Sequence, residues 1–121
     1  MATRSLVVKV TAGKDDPERC NQAFTVAAAA AASGVPVSLW LTGEAAWFAL
    51  PGRAGDFSLP EAAPLGDLLA GVLAAGTVTL CTQCAARRNI AEDDVISGVR
   101  ISGAAMFVAE VTADGAQALV Y

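Results

Sequence analysis

The chain has 121 residues, 55% hydrophobic and 17% charged, which is too apolar for a disordered polymer and long enough for one domain, residues 1–121, with a buried core. A net charge of −4, with eight basic residues scattered apart from Arg87–Arg88, lacks the basic stripe of a nucleic-acid binder. The absence of histidine removes the commonest general base, the Ser-His-Asp arrangement and most zinc and iron sites.

The opening MATRSLVVKV lacks the apolar block and cleavage site of a secretory signal. The densest apolar stretch, Ala23 to Ala32, is mostly alanine and is bracketed by Asn21, Gln22, Ser33 and Gly34, so no integral membrane segment is expected. The expected location is the cytoplasm.

In chain order, Ser5 to Val10 reads as the first strand and Thr11 to Asp16 as a loop. Asp16 suits an N-cap and Pro17 the first helical position, opening a helix to about Ser33. Its inner face would be Ala23, Phe24, Ala27, Ala28 and Ala31, with Gly34 left-handed after it. Pro36 to Leu41 is the second strand, and Thr42-Gly43-Glu44 opens a short helix through Trp47 and Phe48. Leu50 to Pro64 has no clear period. Leu65 to Ala75 is amphipathic, its inner side Leu65, Leu68, Leu69, Val72 and Leu73, and Gly76 ends it. Thr77 to Cys81 is the third strand, followed by a short helix to about Arg88, with Asn89 expected left-handed. A polar turn, Glu92 to Asp94, precedes a strand around Val99 to Ile101. Ser102 to Thr112 is the last helix, with Ala105, Met106, Val108 and Ala109 facing inward, and Gln117 to Tyr121 is an edge strand.

This alternation predicts a three-layer α/β/α sandwich around a five-stranded, mainly parallel sheet covered on both faces. Sites in such sheets form outside the carboxyl ends of the strands. Three loops meet there: Thr11–Asp16, Leu41–Glu44 and Cys81–Cys84. The C-x-x-C pair Cys81 and Cys84 therefore sits at the functional edge, where a strand turns into a helix. A thiol reacts as thiolate, and a reference pKa of about 8.5 leaves little of it at neutral pH unless helix N–H groups or nearby cations favour it. Arg87 and Arg88 follow Cys84 closely enough to act as such cations or to point into water. The bland alternative is that free cysteine packs as a small hydrophobe, which suits the unpartnered Cys20 best.

The candidate site thus comprises Cys81 and Cys84 as reacting groups. Gly13 and Lys14 of the first loop, Thr42 and Gly43 of the second, and Arg87 and Arg88 are candidates for binding substrate. Thr11-Ala-Gly-Lys14 lacks the full phosphate-loop pattern, and Lys14 reads equally as a surface charge. Trp40 and Trp47 could line a pocket or belong to the core. Arg53 and Asp56 are assigned no chemistry. Two paired cysteines fall short of the four ligands of a closed zinc site, so neither metal nor cofactor is expected. A thioredoxin-type motif would follow the first strand rather than the third.

Together, VVKVTAGKDDPERCNQAFTVAAAAAASG, VPVSLWLTGEAAW and LCTQCAARRNIAEDDVISGVRISGA resemble the DsrE/DsrF-like (YchN/TusD-type) family over nearly the whole chain, in a subgroup carrying C-x-x-C-A-x-x-R. The resemblance implies a homotrimer or homohexamer. It also implies that a cysteine after the third strand, here Cys81 or Cys84, accepts persulfide sulfur and passes it to a partner protein. Single-cysteine relay subunits lack the second nearby thiol found here. Three functions stay open: a persulfide sulfur carrier or transferase, a dithiol redox or sensor protein, and a non-enzymatic oligomeric module binding a small ligand or partner.

Overall fold

The structure is a computed structural model that describes residues 4–121. The strands are β1 (Ser5–Val10), β2 (Val37–Leu41), β3 (Thr77–Cys81), β4 (Val99–Ser102) and β5 (Ala116–Val120). The helices are α1 (Pro17–Ala32), α2 (Leu65–Ala75), α3 (Thr82–Arg87) and α4 (Ala104–Val111). Tight 3-10 turns cover Gly43–Ala49, Ala54–Asp56 and Glu92–Asp94. The five strands form one sheet in the order β4-β3-β2-β1-β5, and every neighbouring pair is parallel. The sheet expected to be mainly parallel is wholly so.

Local chemistry accounts for the boundaries. The Asp16 carboxylate caps α1 by accepting from the Arg19 N–H, Pro17 occupies the first turn, and Gly34 follows the helix at φ +78°. Asn89 turns the chain at φ +57° after α3. The last helix, expected from Ser102 to Thr112, runs from Ala104 to Val111 with Gly103 as its N-cap, because Ser102 stays paired in β4 opposite Cys81.

The two sheet faces differ sharply. Val8, Val10, Leu39, Leu41, Val78 and Leu80 are all fully buried on one face. They pack under Cys20, Ala23, Phe24 and Ala27 of α1, Leu65, Leu69 and Val72 of α2, and the Gly43–Ala49 turn. The Leu50 to Pro64 stretch, aperiodic in sequence, is anchored to this core by Phe57, whose ring meets Phe48 edge-on at 5.7 Å. Phe48 in turn meets Phe24 at 6.0 Å.

The opposite face carries a row of chemistry-bearing residues in register: Lys9 beside Trp40, Trp40 beside Thr79, and Thr79 beside Arg100. Only α4 packs there among the described helices. Its expected inward residues are overturned: Ala105, Met106, Val108 and Ala109 are exposed, and Phe107 and Glu110 face the sheet. The reason lies in what they meet. Phe107 packs edge-on against Trp40 at 5.3 Å. The Glu110 carboxylate accepts from the Ser38 hydroxyl (2.6 Å) and Trp40 Nε1 (2.9 Å), and pairs with Arg100. A polar sheet surface selects a carboxylate and one aromatic ring, not an alanine face.

Candidate functional site

The connection after β3 enters α3 on the apolar face, whereas the connection after β4 enters α4 on the polar face. Adjacent parallel strands whose exits diverge leave a crevice at their carboxyl ends. The crevice here is a cavity of about 400 Å³, bordered by Lys9, Trp40, Thr42, Cys81, Thr82, Gln83, Gly103, Ala104 and Phe107.

Cys81 is the last residue of β3 and the N-cap of α3. Strand alternation puts its side chain on the same face as Thr79, and it is half-buried at the cavity wall. Burial resists ionisation of this thiol. The N–H and thiol of Cys84, the Gln83 N–H and the Lys9 ammonium oppose that resistance and win, so its pKa lies below the usual thiol value.

Cys84, one turn into α3, is only 7% exposed and belongs to the core cluster. Its sulfur accepts the Gly43 N–H at 3.3 Å. Gly43 can serve because of its backbone: φ is +53°, and a Cβ there would stand 2.3 Å from the Thr11 carbonyl oxygen. The pair is therefore asymmetric. Cys81 meets the cavity and is held toward the thiolate, while Cys84 is a packed thiol whose proton can bond to it.

The remaining sequence candidates separate into distinct places. Thr42 is buried, donates its hydroxyl to the Val10 carbonyl at 2.8 Å, and touches the Cys81 cavity. Gly13 allows the first loop to approach the turn, since a Cβ would lie 2.6 Å from the Glu44 carbonyl oxygen. Lys14 instead borders a second hollow of about 100 Å³ with Glu44, Trp47, Phe48 and Arg53. Arg88 is tied to Glu44 at 2.8 Å and to the Cys84 carbonyl at 3.2 Å, and Arg87 is exposed. The cation acting on Cys81 is Lys9. The sequence signal for Lys9 is a charge inside the otherwise apolar SLVVKV strand. Cys20 is sealed in the core, where burial, with Asp15 nearby, pushes its thiol up to about 12. Among the described residues no three His, Cys, Asp or Glu side chains gather as a metal site, and no helix is long and apolar enough to cross a membrane.

Known proteins share this arrangement of elements. The fold superposes on YchN from E. coli with a TM-score of 0.78 at 20% identity, covering 98% of this chain and 99% of that one. A protein of unknown function from Methanobacterium thermoautotrophicum gives 0.70 at 11% identity, covering 98% and 99%. Another, from Bacteroides thetaiotaomicron, gives 0.58 at 16%, covering 97% and 94%. A search of the curated proteins finds no match. Residues 4–120 match the sequence profile of the DsrE/DsrF-like family, to which this chain therefore belongs.

Proposed function

We propose that the protein is a sulfur-relay protein, a persulfide carrier or transferase, in which Cys81 is the nucleophile. The observation that carries this reading is the half-buried Cys81 sulfur at the wall of a cavity, with its thiolate favoured by two backbone N–H groups, the Cys84 thiol and Lys9. The Cys81 thiolate attacks a sulfane sulfur, holds it as Cys81–S–SH, and gives that outer sulfur to an acceptor thiolate. Membership of a family associated with sulfur relay supports the same chemistry. Self-association as a trimer or hexamer fits the exposed Met106 and Val108 of α4 and Val120 of β5. A cytoplasmic setting, which keeps thiols reduced, fits three free cysteines.

The contact between the two thiols favours a second reading, in which Cys84 attacks the Cys81 persulfide, yielding a disulfide and releasing hydrosulfide. Incubation with a persulfide donor followed by intact-mass measurement separates the readings. Carriage predicts one added sulfur on Cys81 in wild type and in Cys84→Ser, and none in Cys81→Ser. Resolution predicts that added sulfur accumulates only in Cys84→Ser. A wild type and Cys84→Ser that both remain unmodified would sink the proposal.

A further inference from the structure

Lys9 is a half-buried cation inside a strand that lies between two others. A charge so placed ordinarily has a counter-ion. Among the described residues the ion pairs involve Arg19, Arg88 and Arg100, and none includes Lys9. The carboxylate on its own sheet face, Glu110, is already engaged by Arg100, Ser38 and Trp40. The Lys9 ammonium instead stands 5.1 Å from the centroid of the Phe107 ring, at the wall of the Cys81 cavity. The first turn of α4, whose N-cap Gly103 supplies no side-chain acceptor, borders the same space. The lining is thus one unpaired cation, two aromatic rings, a nucleophilic sulfur and a helix start.

Resting on the sulfur-carrier reading, we infer that the donor of sulfur to Cys81 is a small anionic sulfane compound, a thiosulfate or an acid-bearing persulfide, and that Lys9 selects it by its charge. The cavity volume of about 400 Å³ suits such a molecule, with its carrier group against Trp40 and Phe107. The physical need is specific. A thiolate and an anionic donor repel each other as they close to bonding distance, and a fixed cation beside both offsets that repulsion. In the step, a bond forms from Cys81 Sγ to the sulfane sulfur as that sulfur's bond to its carrier breaks. The electron pair of the broken bond leaves with the carrier, as sulfite from thiosulfate or as a thiolate from an organic persulfide. No external oxidant or reductant is consumed.

The test uses methanethiosulfonates carrying a sulfonatoethyl, methyl or trimethylammonioethyl group, which share one sulfinate leaving group and differ in charge. Rates at Cys81, followed by intact mass and peptide mapping, are divided by the rates with a free thiol at the same pH. Because Lys9 also favours the thiolate, only the ratio between reagents is read. Wild type should prefer the anionic over the neutral reagent by roughly tenfold, the scale of one charged hydrogen bond. Lys9→Gln should collapse the ratio, Lys9→Arg should retain it, and circular dichroism should show both variants folded. A parallel arm offers thiosulfate and a neutral persulfide. Sulfur accepted from both equally, with the reagent ratio unchanged in Lys9→Gln, overturns the role of Lys9 and leaves carriage standing. Sulfur accepted from neither overturns both.

Discussion

Replacing Glu110 tests how the roof of the Cys81 cavity is held. No side chain of α4 is fully buried, so the helix depends on the Phe107–Trp40 contact and on Glu110. The Glu110 side chain is 20% exposed and takes hydrogen bonds from Ser38 and Trp40 as well as the pair with Arg100. Glu110→Ala removes these acceptors and leaves the Trp40 N–H and Arg100 Nη2 without partners, while Arg100 Nε keeps its bond to the Thr79 hydroxyl. Partial exposure discounts the penalty of a fully buried broken pair, giving about 2–3 kcal/mol. For a domain of this size that is a fall of roughly 10 °C in Tm. The carboxyl itself is resisted by burial, but the bonds from Ser38, Trp40 and Arg100 and the Arg100 charge prevail and hold its pKa below the ordinary value. A depressed folded pKa stabilises above the unfolded value of about 4.3, and that contribution disappears as pH falls through the folded value. The gap between wild type and Glu110→Gln should therefore be full at pH 7 and shrink below about pH 4. Urea denaturation across pH, with amide exchange in α4, measures both effects. Alanine costing less than about 0.5 kcal/mol at pH 7 would refute the latch, as would a gap that does not shrink in acid.

The alkylation rate of Cys81 with iodoacetamide should reach its plateau at lower pH than that of free cysteine, and Cys84→Ala should shift the plateau upward; a profile matching free cysteine contradicts the stabilised thiolate. Gly43→Ala introduces a Cβ 2.3 Å from the Thr11 carbonyl oxygen at positive φ, so chemical denaturation should show a loss of about 3 kcal/mol, and a loss under about 1 kcal/mol refutes the close approach. Cys20, pushed up to about 12, stays neutral in the folded chain while the unfolded chain ionises it from about pH 8.5. Stability attributable to it should fall with rising pH by about 1.4 kcal/mol per unit above that point, narrowing the advantage of wild type over Cys20→Ala between pH 8 and pH 10. An advantage constant over that range is the contrary result.

The strands and the apolar layer were legible because both are written in short-range chemistry. SLVVKV and TVTLC carry the β-branched runs of buried parallel strands, and Asp16-Pro17 and Gly34 mark the two ends of α1. The edge bearing the cysteines followed from the same alternation. What sequence reading lost was the polar face. Met106 and Val108 look like core residues by helical spacing, yet they point outward because β2 and β4 present Ser38, Trp40 and Arg100 to α4. That surface arises only from register among strands distant in sequence, Lys9 beside Trp40 and Thr79 beside Arg100. The same limit hid Lys9 and favoured Arg88, which is close to Cys84 in the chain but bound to Glu44 in space.

The asymmetry of the sheet explains why the two thiols differ although they sit three residues apart. A strand ending at Cys81 and a helix beginning at Thr82 send the two side chains to opposite environments, one toward the polar layer and one into the apolar core. The core gives Cys84 a fixed position against Gly43, so its proton and its backbone N–H can serve Cys81 without being free to wander. The polar layer gives Cys81 a cation and room. Exchanging the environments would put the thiolate in hydrocarbon, where burial disfavours the charge, as it does for the Cys20 thiol in the same core. The proposed sulfur chemistry therefore falls on the cysteine that closes the strand, with the one that follows in the helix placed to favour its thiolate.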